Sequence, residues 1–148
     1  MSRYGLVVVA VILVVTAAPT EAQSRRYVAP RTAADGTVPP YSGAVQIGNT
    51  LYLSGDTGVE SNGAIPATAE AEARLLLDKI QKTLSGAGFT MDDLVTVTVY
   101  CADVKYYDSF NTVYRTYFKK EFPARAFIGA GTLLGHARFE MQGIAVKR

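Results

Sequence analysis

A few side chains in this 148-residue chain have the chemistry to hold a small charged molecule: the guanidinium of Arg125 in "FPARAF", the hydroxyls of Tyr41 and Ser54, the amide of Asn111, and the polar pair Glu140 and Gln142. A guanidinium stays ionised and is rarely buried without an anion, so Arg125, set between two alanines at the start of an apolar stretch, calls for one. Its rigid fork matches both oxygens of a carboxylate, while neutral hydroxyls and amides orient the rest of a small ligand. Period-two alternation puts Arg125 and Phe127 on one face of a strand, and Glu140 with Gln142 together on one face of another. Two readings stay open on these residues alone. Arg125 either meets a ligand carboxylate or pairs within the chain with Glu121 or Glu140.

Other chemistries are excluded. One cysteine and one histidine cannot build a Cys/His metal cluster, and no metal or other cofactor is expected. The glycines of "GNTLYLSGDTG" have neither the dinucleotide spacing nor that of a P-loop. Ser54, His136 and Asp56 make a triad only on paper, because no nucleophile-elbow motif surrounds the serine. A net charge of +2, without a basic block, argues against a nucleic-acid partner. Cys101 shares a strand face with Val95, Val97 and Val99 and reads as a buried, inert thiol.

The elements that must position these residues follow from the pattern. "MSRYG" carries positive charge, Leu6 to Val15 is an unbroken apolar run, and Thr20 and Ala22 precede Gln23 at the spacing of a cleavage site. This order is that of a secretory signal peptide over residues 1–22, and the run falls short of the roughly 20 residues a bilayer needs. The expected location is outside the cytoplasm, periplasmic or secreted, with no membrane attachment of the mature form; the alternative is an uncleaved amphipathic anchor. Residues 23–39 read as an extended arm, with a short strand at "RYVA". Residues 40–148 form the domain.

Within the domain, Gly48-Asn49 marks a two-residue hairpin. Thr68 can cap a helix whose apolar face is Ala73, Leu76, Leu77, Ile80 and Leu84, with Glu70 and Glu72 in its first turn and Gly86 and Gly88 at its end. "LVTVTVYCA" alternates as a strand. Tyr106, Phe110, Val113, Tyr114 and Tyr117 form the aromatic stripe of a second helix, which Pro123 closes off. Two strands follow. The order β-β-α-β-α-β-β predicts an α+β domain, a mixed sheet with two helices on one face. The other face needs cover, and small residues Gly129 to Gly131 suit close backbone approach, so a homo-oligomer is expected.

"PYSGAVQIGNTLYLSG", "GAGFTMDDLVTVTVY", "FNTVYRTYF", "FPARAF" and "FEMQGIAV" resemble, in this order, the RidA/YjgF family of reactive-intermediate deaminases, also labelled L-PSP-type endoribonucleases. The resemblance implies a chorismate-mutase-like fold, a homotrimer and ligand clefts between subunits. It implies that Arg125 binds the carboxylate of a 2-imino or 2-keto acid and that Tyr41, Ser54 and Asn111 shape the site. The activity implied is hydrolysis of a 2-imino acid or enamine to a 2-keto acid and ammonia. Two positions depart from the pattern. Phe127 stands where a cysteine is usual and is expected to narrow the cleft. Gln142 stands where the resemblance implies a water-activating glutamate, and an amide orients water but does not take its proton. Weak turnover is therefore expected, with a non-catalytic binding module as the alternative and RNA cleavage as a lesser one.

Overall fold

The computed structural model describes residues 24–28 and 36–147. The leader expected at residues 1–22 and part of the arm lie outside the described residues. Strands β2 (Ala44–Ile47) and β3 (Thr50–Thr57) form the predicted hairpin, with Gly48 at a φ of 56° that favours glycine at the turn. A strand from the arm, β1 (Arg25–Val28), pairs antiparallel with β2 at the edge of the sheet.

Helix α1 (Ala69–Gly86) begins where expected, because the Thr68 hydroxyl oxygen accepts from the Ala71 N–H at 3.1 Å. Its face of Ala73, Leu76, Leu77, Ile80 and Leu84 is fully buried. Strand β4 (Leu94–Cys101), helix α2 (Tyr107–Tyr114), β5 (Ala124–Gly129) and β6 (Phe139–Val146) complete a six-stranded sheet of order β1-β2-β3-β6-β4-β5. The β4/β5 pair is parallel, since α2 carries the chain back between them; the other pairs are antiparallel. This is the predicted α+β architecture.

Alternation divides the sheet into two faces. Leu51 and Leu53 of β3, Val97, Val99 and Cys101 of β4, and Phe139, Met141 and Ala145 of β6 are buried beneath the helices. The opposite face presents Tyr52, Thr96, Thr98, Tyr100, Gln142 and Ile144, all at least partly exposed. Cys101 is buried as expected; its thiol donates to the Asp103 carbonyl at 3.0 Å and desolvation pushes its pKa up. Val95 is a correction. It is 48% exposed, because the β4/β6 register shifts between Leu94 and Thr96, and Leu94 takes the core position instead.

Glu72 is the one charged side chain in the core of the described residues. The first turn of α1 suggested a partner for the helix dipole, but the structure gives it a larger task. Its Oε1 accepts from the backbone N–H of Arg138 at 2.5 Å and of Phe139 at 3.1 Å, and its Oε2 from the Arg138 guanidinium at 2.7 Å. Removing one member of such a pair leaves the others desolvated and unpaired. Glu72→Ala is expected to cost about 3 kcal/mol of folding stability, at the low end for a broken buried pair because Arg138 keeps some solvent contact. Urea unfolding checks this; a loss within ordinary surface-mutation scatter overturns it.

Candidate functional site

Arg125 lies on β5, the outer strand of the sheet, and its side chain points to the helix-covered face with Phe127. Its guanidinium sits 4.8 Å from the Tyr114 ring centroid, 5.8 Å from Tyr107 and 5.6 Å from Phe127. Aromatic faces attract a cation but do not neutralise it. Among the described residues Arg125 has no ion pair, so neither Glu121 nor Glu140 occupies it. Asn111, on α2, lines the same small cavity as Arg125, together with Tyr114, Arg115, Phe122 and Pro123. Phe127 packs edge-on against Tyr107 at 4.9 Å and Phe110 at 5.6 Å, so it is part of the aromatic floor beneath Arg125.

A second cluster forms on the other side of the sheet. The β3/β6 register shifts between Leu53 and Asp56, a bulge that sets Ser54 and Gly55 out of the regular ladder. Ser54, Asp56 and Glu140 line one cavity with Tyr41, Val59 and Leu134. The Ser54 hydroxyl donates to the Ser42 carbonyl at 2.6 Å, which ties β3 to the segment carrying Tyr41. Lys79 reaches from α1 to Asp56 at 3.7 Å and donates to the Thr57 carbonyl at 2.9 Å and to that of Val59. Glu140 lies between buried Phe139 and Met141 and so projects to the open face. A Cβ on Gly55 would stand 2.2 Å from Glu140 Oε1, so the missing side chain is what lets the carboxylate lie there. Among the described residues nothing hydrogen-bonds or ion-pairs with Glu140. Burial raises its pKa above the ordinary glutamate range, and the nearby Asp56 charge adds to the rise.

The sequence candidates thus separate into groups. Arg125 and Asn111 come together on one face, with Phe127 at their base. Tyr41 and Ser54 come together on the other. Gln142 joins neither: its amide donates to the Tyr100 hydroxyl at 3.0 Å, over the open face of the sheet. The carboxylate beside Tyr41 and Ser54 is Glu140, the first member of the polar pair on β6, whereas the resemblance points to the second, Gln142. The one signal for Glu140 is the "SG" inside β3, where a bulge interrupts the ladder beside it.

The family model for endoribonuclease L-PSP matches residues 32–147. The chain belongs to this family, the RidA/YjgF family. A 2-iminobutanoate/2-iminopropanoate deaminase of Mus musculus is 35% identical over 124 residues, covering 82% of this chain and 92% of the relative. The Homo sapiens deaminase of the same name is 34% identical, covering 77% and 85%. Among solved members of the family, the YjgF gene product of E. coli is 30% identical with a TM-score of 0.75, over 83% of this chain and 99% of that one. E. coli TdcF, solved with bound serine, is 27% identical with a TM-score of 0.74, over 83% and 100%.

Within this family member, Gly55 is the most direct handle on Glu140. Gly55→Ala is expected to push the carboxylate towards solvent and away from Asp56, returning its pKa towards the ordinary value. The clash involves the end of a flexible side chain, so the fold is retained. Carboxyl-detected NMR titration of Glu140 in both proteins measures the change; an unaltered titration overturns the packing argument.

Proposed function

We propose that the protein hydrolyses small 2-imino acids to 2-keto acids and ammonia, in a cleft completed between copies of the chain. The observation that carries this reading is a pair of groups unmatched among the described residues: a cation, Arg125, with no anion, and a carboxylate, Glu140, with no donor, on opposite faces of one sheet. Strand alternation keeps them apart within a chain, so a shared site needs Arg125 and Asn111 from one copy and Tyr41, Ser54 and Glu140 from another. A homotrimer closes such contacts head to tail. The deaminase names of relatives near 35% identity support the same activity.

In this reading the Arg125 fork holds the substrate carboxylate, and the Asn111 amide orients the imine carbon. Water stands against Glu140. Its oxygen bonds to C2 of the protonated imine as Glu140 takes its proton, and the C=N bond becomes a C–N single bond. Glu140 returns that proton to nitrogen, the C–N bond breaks with its electron pair going to nitrogen, and the hydroxyl passes its proton to the departing ammonia as the C=O bond forms, leaving ammonium and an ionised Glu140. A glutamate with a raised pKa suits both transfers, because a base works best with a pKa nearer the working pH. Tyr41 and Ser54 shape the wall. Gln142 stands outside the water-handling group, so its amide does not weaken the reaction.

Ammonia release from freshly generated 2-iminobutanoate, above the spontaneous rate, tests this. Glu140→Gln is expected to lower the catalysed rate by about 10²–10⁴ with binding of 2-oxobutanoate retained. Gln142→Glu leaves the rate near that of the original protein. Arg125→Ala weakens 2-oxobutanoate binding by roughly 2–4 kcal/mol, the scale of charge-assisted hydrogen bonds with some added desolvation. A large gain from Gln142→Glu together with an indifferent Glu140→Gln overturns the assignment. Binding through Arg125 with no turnover in any variant leaves a ligand-binding module instead.

The pH dependence has a definite sign. Turnover needs Glu140 ionised, and its raised pKa places the acidic limb above the ordinary glutamate value of about 4.3. The rate falls as pH drops through that limb. Asp56→Asn removes the like charge and shifts the limb to lower pH, while burial still holds it above the ordinary value. A pH–rate profile of both proteins checks the shift; a limb that stays fixed shows that Asp56 does not act on the group that titrates.

A further inference from the structure

The cavity around Arg125 carries more donors than one carboxylate uses. Arg115 lines it as well, four residues after Asn111 and just past the end of α2, with its guanidinium 5.9 Å from the Phe122 ring centroid. The Phe122 and Tyr114 rings lie nearly parallel with centroids 6.1 Å apart, so the two guanidiniums rest on neighbouring rings. Among the described residues no acidic side chain lines this cavity and neither arginine has an ion pair. Tyr114 adds a second, independent sign. It is 3% exposed, and its hydroxyl is buried without a hydrogen-bond partner. Burial drives its pKa up to about 12 against the opposing Arg125 charge, so it carries a proton at any working pH and lacks an acceptor.

One carboxylate held by the Arg125 fork leaves Arg115 and the Tyr114 hydroxyl unmatched. We infer that this cavity is built for a second anionic group, and that the preferred ligands are dicarboxylic 2-imino and 2-keto acids, with Arg115 as the specificity-determining residue. The Tyr114 and Phe122 rings that carry the two guanidiniums have centroids 6.1 Å apart, so the second carboxylate stands about one ring spacing from the first. Four- and five-carbon dicarboxylates have that span. The inference rests on the reading of Arg125 as the carboxylate anchor, and goes beyond it in naming the substrate class.

The test is calorimetric binding of 2-oxoglutarate and 2-oxobutanoate to the full-length protein in its native assembly, at low salt. The original protein is expected to bind 2-oxoglutarate at least about tenfold more tightly, which is a modest return for one exposed charged contact. Arg115→Gln abolishes that preference and leaves 2-oxobutanoate affinity unchanged, whereas Arg125→Ala weakens both ligands. Tyr114→Phe reduces the preference without abolishing it. Added salt narrows the gap, because Arg115 is exposed and its charge is screened. Equal affinity for the two ligands, or a preference that survives Arg115→Gln, overturns the inference while the Arg125 anchor stands. Failure of both ligands to bind the original protein overturns the anchor reading and this inference with it.

Discussion

Glu72 is buried beneath the sheet, and the strands that build the Glu140 cluster are organised around it. Its carboxylate receives the backbone of Arg138 and Phe139, the entry to β6, two residues before Glu140. On the other side Gly58 closes against it so tightly that a Cβ there would stand 2.4 Å from Glu72 Cγ. Gly58 follows β3, the strand whose bulge exposes Ser54 and Gly55. A single desolvated charge thus joins the start of one site-bearing strand to the end of the other, with α1 as the common support. A buried carboxylate is tolerated only when its lone pairs are filled, so its need for partners fixes the entry to β6, while the end of β3 is held to the same residue by packing alone. A hydrophobic residue at position 72 would pack, but it would give the 138–139 backbone no acceptor.

Strand alternation supplies the second constraint. Three adjacent strands, β6, β4 and β5, carry Glu140, Tyr100 and Ile128 in register. Moving three residues back along β5 from Ile128 to Arg125 changes face, because three is odd. No side-chain rotation brings an inward guanidinium on the outer strand to an outward carboxylate across β4. In the proposed assembly these two clusters are the halves of one site. Partial exposure of Tyr52 and Ile128 on the open face provides apolar surface on which copies can meet in the proposed assembly.

Much of this was legible in the chain because local rules decide it. The Thr68 cap, the apolar stripe of α1, the Gly48 turn and the shared face of Arg125 and Phe127 depend on neighbours a few residues away. The bulges did not announce themselves, since an inserted residue alters pairing without altering residue types. Val95 left its expected face for that reason, and Ser54 and Gly55 left the ladder for the same one. Glu72 looked like a surface acid of a first helical turn because its partners lie 66 and 67 residues away. The different surroundings of Glu140 and Gln142 are of this kind too. Both point outward, and only the position of the β3 bulge beside Glu140 separates them.

The electrostatics of the half-sites oppose each other. Around Arg125 the aromatic rings strip water from a cation and return only part of that solvation. At Glu140 burial and the Asp56 charge make ionisation costly, and Lys79 spends its donors on Asp56 and the carbonyls that follow β3. Among the described residues no ion pair relieves either charge. In the proposed reaction a bound carboxylate relieves the first, and a water or protonated nitrogen relieves the second. The unpaired state costs stability in the free protein, but it needs little rearrangement when the ligand arrives, since its charges are already desolvated and held. That is the trade a binding or catalytic site makes and a purely structural ion pair does not.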